Sequence, residues 1–266
     1  MLDKSDHVGV TQQPGQSKQP LRPDRELYPD VAAAGSLRAA LARCAAENDL
    51  AVGEVRSSSD GSSLIHAGIT SRNPRLDRFS VNLGSVERVF LIAAWGQGVN
   101  LTNGSTSDLA QLAEAAAAWH AGVTLAELQA AAPFLEVSSL ALAHERGPEY
   151  AVAEKWGRYL TTDLCEDLEM LQAAHAEPRL RALFPVTSHR ALLFSRCTGF
   201  PFSQDVSAIY PLGDHRYAVH HRDEPFSRQP DYTAQEAAAV VVAHMPESWG
   251  PAVAGTQHDL RDREGQ

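Results

Sequence analysis

Hydrophobic side chains recur at helical spacing early in the chain, directly before a run of short alternating segments. Leu37, Leu41 and Cys44 lie behind Ser36, whose hydroxyl can cap a first turn, so a helix is predicted over 36–48. Strand character follows at 51–56, 63–69, 78–83 and 88–95, with the turn formers Asp60-Gly61, Asn73-Pro74 and Gly84-Ser85 between the segments. Because the turns are short, we expect an antiparallel meander.

The pattern then changes to helical. After a short strand at 99–101 and a turn at Asn103-Gly104, residues 105–108 open an alanine-rich helix that runs to His120 and ends at Gly122. Thr124 begins a further helix with the capping-box pattern, which Pro133 stops, and helices are predicted over 136–145 and 148–160.

The last third repeats this order. A capping pattern at 163–166 leads a helix through Leu171, and 178–184 is predicted to add final turns. A strand at 191–197 and a hairpin of 207–212 with 216–221 follow. Thr233 caps an apolar helix over 237–244, which Pro246 ends.

The order of elements predicts an α+β fold of two similar halves, each with a helix, an antiparallel sheet and a capped helix, joined by a helical middle segment. A diverged internal duplication of 36–119 in 163–245 would explain this, as would two unrelated α+β units. The predicted boundaries are a disordered tail at 1–26, a first half at 27–122, a helical connector at 123–162, a second half at 163–256 and a disordered tail at 257–266.

Composition narrows the class of protein. The chain of 266 residues is 44% hydrophobic and carries a formal net charge of −10, with no stripe of basic residues, so we expect no nucleic-acid partner. No apolar run approaches the roughly 18 to 20 residues of a membrane span, and no apolar segment follows the polar start, so no membrane partner is expected. Three scattered cysteines fit a reducing compartment, and we predict a cytoplasmic protein.

Motif searches predict neither cofactor nor metal. The chain lacks a phosphate-binding loop, a His-Glu-x-x-His zinc motif, a Cys-x-x-Cys pair and a Gly-x-Ser-x-Gly elbow. His215 and His221 would share a strand face but lie ~20 Å apart, too far for one metal. With His220, these histidines are interpreted as solvated, and a partner-binding or pH-sensing role is the alternative.

Six residues remain as candidates for ligand binding. Arg196 could lower the pKa of the Cys197 thiol, with His189 as a base, although a packed strand-end cysteine is the simpler interpretation. Trp95 stands beside a glycine-rich loop, where it could stack on a ligand or simply pack. The predicted ligand-binding residues are Trp95, Asn100, Asn103, Arg196, Cys197 and Tyr210, and no catalytic residue is assigned.

Conspicuous residues across 27–256 also suggest a family. They include Trp95-Gly96, Gly104 to Leu109, Glu145-Arg146-Gly147, Ser195-Arg196-Cys197, Tyr210 to Gly213 and Trp249 to Val253. In these motifs the chain resembles an uncharacterised actinobacterial family, a domain of unknown function whose members are labelled only as natural-product biosynthesis proteins. The resemblance implies a link to specialised metabolism and implies no reaction, cofactor or catalytic residue.

Two functions stay open at this stage. The first is a non-catalytic accessory or interaction protein, because no set of nucleophile, base and oxyanion donors can be recognised. The alternative is an enzyme or small-molecule binder of specialised metabolism with a site in the cleft between the halves, so the partner is either a protein or a small molecule. Gathering of the six candidates in one pocket would favour the alternative, and their dispersal would favour the first. A toxin-immunity or chaperone-like role is a third hypothesis.

Overall fold

Two antiparallel sheets with helices packed on them form the α+β fold that the order of elements predicted. The computed structural model describes residues 21–57, 63–161, 167–222 and 224–265. The elements up to the end of the first sheet are α1 (Pro29–Ala34), α2 (Leu37–Glu47), β1 (Val55–Arg56), β2 (His66–Thr70), β3 (Arg78–Leu83), β4 (Phe90–Gly96), β5 (Val99–Thr106), α3 (Leu109–Ala121), α4 (Leu125–Ala131) and β6 (Leu135–Val137). The remaining elements are α5 (Ser139–Arg146), α6 (Pro148–Thr161), α7 (Leu168–Ala176), α8 (Pro178–Arg181), β7 (Phe184–Ser188), β8 (Ala191–Ser195), β9 (Ala208–Gly213), β10 (Arg216–His220), α9 (Ala234–His244) and α10 (Gln257–Glu264).

The first sheet is the predicted meander, with strands in the order β1-β2-β3-β4-β5-β6 and every neighbouring pair antiparallel. Alternate residues such as Phe79, Val81 and Phe90 point to one face, where α2 and α3 cover them and Trp119 is buried. The intervening residues point away from this core.

The second sheet has the order β10-β9-β8-β7 and contains the predicted β9–β10 hairpin. Its core side packs Phe194 and Ile209 against α6, α7 and α9, which contribute Trp156, Leu171 and Val241. Each half therefore has its own hydrophobic core, and the two halves share the order of helix, antiparallel sheet and capped helix.

Helix caps were the most accurate sequence signals. Ser36 and Asp108 accept hydrogen bonds from the first turns of α2 and α3, and Thr124 and Thr233 form complete capping boxes with α4 and α9. Gly122 ends α3 in the left-handed conformation, with φ +75°. The capping pattern predicted at 163–166 lies outside the described residues, and α7 is capped by Asp167.

The strands differ from the prediction in several places. β1 covers only 55–56 of the predicted 51–56, and β8 ends at Ser195 instead of Cys197. β5 continues through Asn103-Gly104, where a turn was expected, and a Cβ on Gly104 would lie 2.3 Å from the Phe134 carbonyl oxygen, so glycine permits the approach of the chain entering β6. Residues 135–137, at the start of a predicted helix, form β6 instead. Residues 184–188 form β7, so the helical turns predicted over 178–184 end at Arg181.

The predicted connector at 123–162 contributes to both halves. Its first part, α4 and β6, completes the first sheet and buries Leu125, Leu128 and Leu135 in the first core. Its last part, α6, buries Trp156 in the second core. Between them, α5 contacts both cores through neighbouring side chains, because Ala141 belongs to the first and Leu140 packs against the second.

The C-terminal residues form a helix where polar composition predicted a loose end. Thr256 and Asp259 make a capping box at the start of α10, and Leu260 is buried on the protein. Glu264 pairs with Arg196, so a local signal and a distant ion pair order this segment. Of the predicted N-terminal tail, residues 1–20 lie outside the described residues, while the Leu21 carbonyl accepts a hydrogen bond from the Leu64 amide (3.1 Å).

Among the described helices, none has the length and apolar character that crossing a membrane requires.

Candidate functional site

Three of the six predicted ligand-binding residues lie together on the outward face of the first sheet. Trp95 on β4 stands opposite Asn100 on β5, and its side chain is 42% exposed. The Asn100 and Asn103 side chains bond to each other, with 3.1 Å from the Asn100 Nδ2 to the Asn103 Oδ1. Leu91, two rows further along, is 48% exposed. These residues form a flat, partly apolar surface.

Arg196 is a structural residue in this fold. Its side chain is only 10% exposed, and its guanidinium group pairs with Asp205 at 2.7 Å and with Glu264 of α10. The same group lies 4.2 Å from the centre of the Trp249 ring. Because two carboxylates and an aromatic ring surround it, Arg196 holds the C-terminal helix against the loop after β8.

Cys197 has the environment of a packed cysteine. It is fully buried, its Sγ lies 3.4 Å from the Ser195 Oγ, and burial raises the pKa of its thiol. The predicted base, His189, hydrogen-bonds Ser188 (3.0 Å), and no described contact joins His189 to Cys197. The geometry therefore gives Cys197 none of the features of an activated nucleophile.

Tyr210 belongs to an aromatic cluster on the second sheet. Its ring lies 5.1 Å from Phe226 and 6.0 Å from His220 in edge-to-face contacts. In the described part of the chain, no hydrogen bond, ion pair or ring contact joins Trp95, Asn100 or Asn103 to Arg196, Cys197 or Tyr210. The structure thus keeps these candidates in separate groups.

The halves meet directly at the place where a shared cleft was expected. The Phe200 amide donates to the Gly98 carbonyl (2.8 Å), and a Cβ on Gly98 would lie 2.4 Å from the Phe200 oxygen. A Cβ on Gly199 would lie 1.9 Å from the Gln97 oxygen. The contact is made by glycine backbone on both sides, which leaves no room for a ligand between the two loops.

A small cavity lies beside this contact. Its volume of about 80 Å³ has room for two or three waters. His144 of α5 lines it and packs its ring 5.8 Å from Phe184, and desolvation together with Lys155 lowers the pKa of His144 to about 4. Glu145 also lines the cavity and accepts a hydrogen bond from the Leu125 amide (2.8 Å). The hydrogen bond of Glu145 joins helix α5 to the start of helix α4.

A groove of about 670 Å³ lies in the second half. We call it the α6 groove, because α6 forms its long wall and α7, α8 and residues 251–252 close the other sides. Its volume falls within the range of small-molecule sites. The side chains that line it are mainly apolar or small: Val152, Ala153, Trp156, Gly157, Leu160 and Ala252.

Trp156 forms a rigid base for the groove. The side chain is 1% exposed, and its indole Nε1 donates to the Leu183 carbonyl oxygen (3.1 Å). The His175 ring packs 5.3 Å from the Trp156 ring. The tryptophan is thus fixed within the second core and lies beneath the floor of the groove.

Gly157 keeps one wall of the groove open. It lies in the interior of α6, and a Cβ built on it would meet no atom of the described residues within 4 Å. Glycine in a helix interior costs about 0.8–1 kcal/mol relative to alanine. No close approach of backbone or side chain requires a glycine here, in contrast to Gly98 and Gly104.

Three polar residues also line the groove. Arg181 ends α8 and is exposed, His175 stands on α7 near it, and Glu149 belongs to the first turn of α6. Desolvation and the positive charge of Arg181 lower the pKa of His175, so the imidazole is neutral near pH 7. The groove therefore combines an apolar wall with a cation and a neutral ring that can donate or accept a hydrogen bond.

Sequence analysis assigned the α6 groove no function. Its lining residues, such as Val152, Ala153 and Leu160, follow the spacing of an ordinary apolar helix face, which does not indicate concavity. The usable signal was Gly157, a helix-breaking residue inside an otherwise good helix pattern.

A second, polar depression lies at the β9–β10 turn. There the Tyr217 hydroxyl donates to Asp167 (2.8 Å), and the His215 Nδ1 lies 2.6 Å from the Glu169 Oε2, which raises the pKa of His215. His221, at the end of the hairpin, contacts His244 with ring centres 4.0 Å apart. Within the described ranges, no group of three His, Cys, Asp or Glu side chains has a metal-binding arrangement.

Comparison with protein families matches residues 150–256 to a family described as "Family of unknown function (DUF6193)". The matched segment begins in the first turn of α6 and ends at Thr256, so it includes the residues that line the groove except Pro148 and Glu149. No curated protein and no solved structure matches the chain.

Proposed function

We propose that the protein is a non-catalytic accessory protein that binds a small apolar molecule in the α6 groove. The groove has a suitable volume and an apolar wall on a rigid base, which are the usual features of a small-molecule site. The direct backbone contact between the halves argues against a ligand site there, and the burial of Cys197 supports a role without a thiol nucleophile.

The observation that carries this proposal is the glycine at position 157. A residue with a side chain would fit the backbone, would meet no neighbour among the described residues and would favour the helix, yet the chain has glycine at this position. The missing side chain leaves the groove wider beside Ala153 and Trp156. A preference for an open groove over a more stable helix is typical of a binding surface.

The setting we propose is specialised metabolism in the cytoplasm. The resemblance to actinobacterial proteins labelled as natural-product biosynthesis proteins supports this setting, and the match to a family of unknown function is compatible with it. An accessory protein with an apolar groove could carry or shield a poorly water-soluble intermediate.

Filling the groove tests the proposal. Gly157→Leu places a side chain in open space on α6, and the matched control Ala42→Leu adds the same side chain at an exposed position of α2 in the first half. The probe is N-phenyl-1-naphthylamine, a neutral apolar dye whose fluorescence rises in an apolar site. We expect saturable binding by the unmodified protein and by Ala42→Leu, and affinity at least about tenfold weaker in Gly157→Leu, because the leucine occupies the ligand volume.

Thermal unfolding of the three proteins accompanies the titration. Gly157→Leu should be at least as stable as the unmodified protein, because leucine is a better helix former than glycine. Equal dye affinity in Gly157→Leu and Ala42→Leu would contradict the proposal, since the dye would then bind elsewhere, for example on the outward face of the first sheet.

A further inference from the structure

The chemistry of the α6 groove also indicates which apolar molecules it prefers, an inference that rests on the proposed function. Arg181 and His175 are neighbours in the groove, since the Arg181 Nη1 donates to the His175 carbonyl oxygen (3.3 Å), both residues line the groove, and the charge of Arg181 acts on the His175 ring. His175 in turn packs on Trp156. A cation and an imidazole therefore stand next to the apolar base of the groove.

Arg181 differs from the arginine two residues before it. Arg179 directs its guanidinium group to three backbone carbonyls at the end of α9, those of Val242, Met245 and Pro246. Arg181 has one described hydrogen bond and no ion pair with a described carboxylate. Its exposed guanidinium group keeps most of its five N–H donors for another partner, and their planar geometry matches two oxygens of an anion.

Glu149, the acidic residue that lines the groove, directs its carboxylate toward the start of α6. The Glu149 carboxylate folds back toward Gly147. Its Oε2 lies 2.8 Å from the position that a Cβ on Gly147 would occupy. This position is at the first turn of α6, where the unpaired backbone N–H groups and the positive end of the helix dipole stabilise a negative charge. The position of Glu149 is therefore accounted for within the helix, and Arg181 provides the charge available to a ligand.

We propose that the ligand of the α6 groove is an apolar molecule with one anionic oxygen group, such as a carboxylate. The anion is bound by the Arg181 guanidinium group and the His175 ring, and the apolar body lies along α6 over Trp156 and Gly157. The wall from Pro148 to Leu160 is about 18 Å long at 1.5 Å per helical residue, which suits an elongated molecule.

A matched pair of dyes tests the anionic group. 8-Anilinonaphthalene-1-sulfonate has the same anilinonaphthalene body as N-phenyl-1-naphthylamine and adds one sulfonate, so the ratio of their affinities reports the contribution of the charge. Both dyes are titrated against the unmodified protein, Arg181→Gln, Gly157→Leu and the control Arg43→Gln, which removes an exposed arginine of α2. Thermal unfolding of each variant shows that it is folded.

The expected result is tighter binding of the sulfonate dye by the unmodified protein and by Arg43→Gln. Arg181→Gln should weaken the sulfonate dye by about tenfold and leave the neutral dye unchanged, because charge-assisted hydrogen bonds are lost. If Arg181→Gln changes both dyes equally, or neither, the anionic ligand is contradicted while the groove itself stands. If Gly157→Leu leaves both affinities unchanged, the proposed function fails as well.

Discussion

The two halves use the same order of elements to make different surfaces. In the first half, α2 and α3 cover one face of a six-stranded sheet, and Trp95 and Leu91 remain on a flat outward face. In the second half, α6, α7 and α8 pack at the side of a four-stranded sheet and enclose the α6 groove between them. The positions of the helices around each sheet, more than the order of the elements, therefore decide where a concave surface forms.

Two tryptophans show the same contrast on a smaller scale. Trp95 is conspicuous in the sequence because a glycine-rich loop follows it, yet it lies 42% exposed on a flat sheet. Trp156 has no such context and is 1% exposed, but it forms the base of the groove. A buried side chain therefore shapes the candidate site, while the exposed one lines none of the three depressions described above.

The largest expected effect separates these two tryptophans. Trp156→Ala should lower the free energy of unfolding by about 3–5 kcal/mol, because it removes a fully buried ring and leaves the Leu183 carbonyl without its donor. Trp95→Ala should cost about 1 kcal/mol or less, since much of that ring is already in water. Urea denaturation followed by circular dichroism measures both, and equal losses would contradict the assignment of Trp156 to the second core.

The next largest effect is a pH dependence of the free energy of unfolding that arises from His144, beside the contact between the halves. His144 has a pKa of about 4 in the folded protein, below the 6.5 of an unperturbed histidine, so the unfolded chain binds a proton more readily between these values. Stability should therefore fall as pH decreases from about 6.5 to 4, by about 2–3 kcal/mol from this residue, and its contribution should change no further below pH 4.

His144→Phe isolates that contribution. Phenylalanine keeps a ring against Phe184 and cannot be protonated, so the difference in stability between the two proteins should change across pH 4–6.5. Other histidines with lowered pKa, including His66 and His175, act equally in both proteins and cancel in the difference. A difference that is constant with pH would show that His144 is protonated freely in the folded state.

A smaller effect is expected at Arg196, which sequence analysis assigned to ligand binding. Arg196→Ala should lower stability by about 2 kcal/mol, because Asp205 and Glu264 lose their partner while remaining partly exposed to water. Arg196→Lys should restore part of this loss, since lysine keeps the charge without the planar, two-sided guanidinium geometry. Limited proteolysis should cleave near α10 in the alanine variant, and an α10 that stays protected would contradict the role given to Arg196.

The sequence predicted the elements that depend on local chemistry. The caps at Ser36, Thr124 and Thr233 and the β9–β10 hairpin are determined by neighbouring residues, and the structure confirms them. The predicted opening of α3 at 105–108 is narrowed to a cap at Asp108. β7 and α10 were missed for different reasons. β7 pairs with β8 across a two-residue turn, His189-Arg190, which adopts positive φ without the glycine or asparagine that usually marks such a turn. α10 is held in part by an ion pair to a residue 68 positions away.

The candidate site was harder to predict for a related reason. A groove is formed by the relative positions of several helices, and its lining of Val152, Ala153 and Leu160 has the composition of an ordinary core face. The polar residues selected from the sequence have structural roles. Asn100 hydrogen-bonds Asn103, and Arg196 holds α10 through its ion pair with Glu264. Polar chemistry marks a site in a sequence only when the ligand is polar, and apolar sites leave mainly small residues as signals.

The smallest expected effect tests the helix at the centre of the comparison. Gly157→Ala should raise stability by about 0.5–1 kcal/mol, because alanine restricts the unfolded chain and its Cβ meets no atom within 4 Å in the described part of the folded protein. The reverse change at an exposed position of α2, Ala42→Gly, should lower stability by a similar amount. Thermal unfolding measures both, and a loss of stability in Gly157→Ala would mean that the fold needs the glycine. A gain would mean that the fold does not require it, so that the open groove is what Gly157 provides.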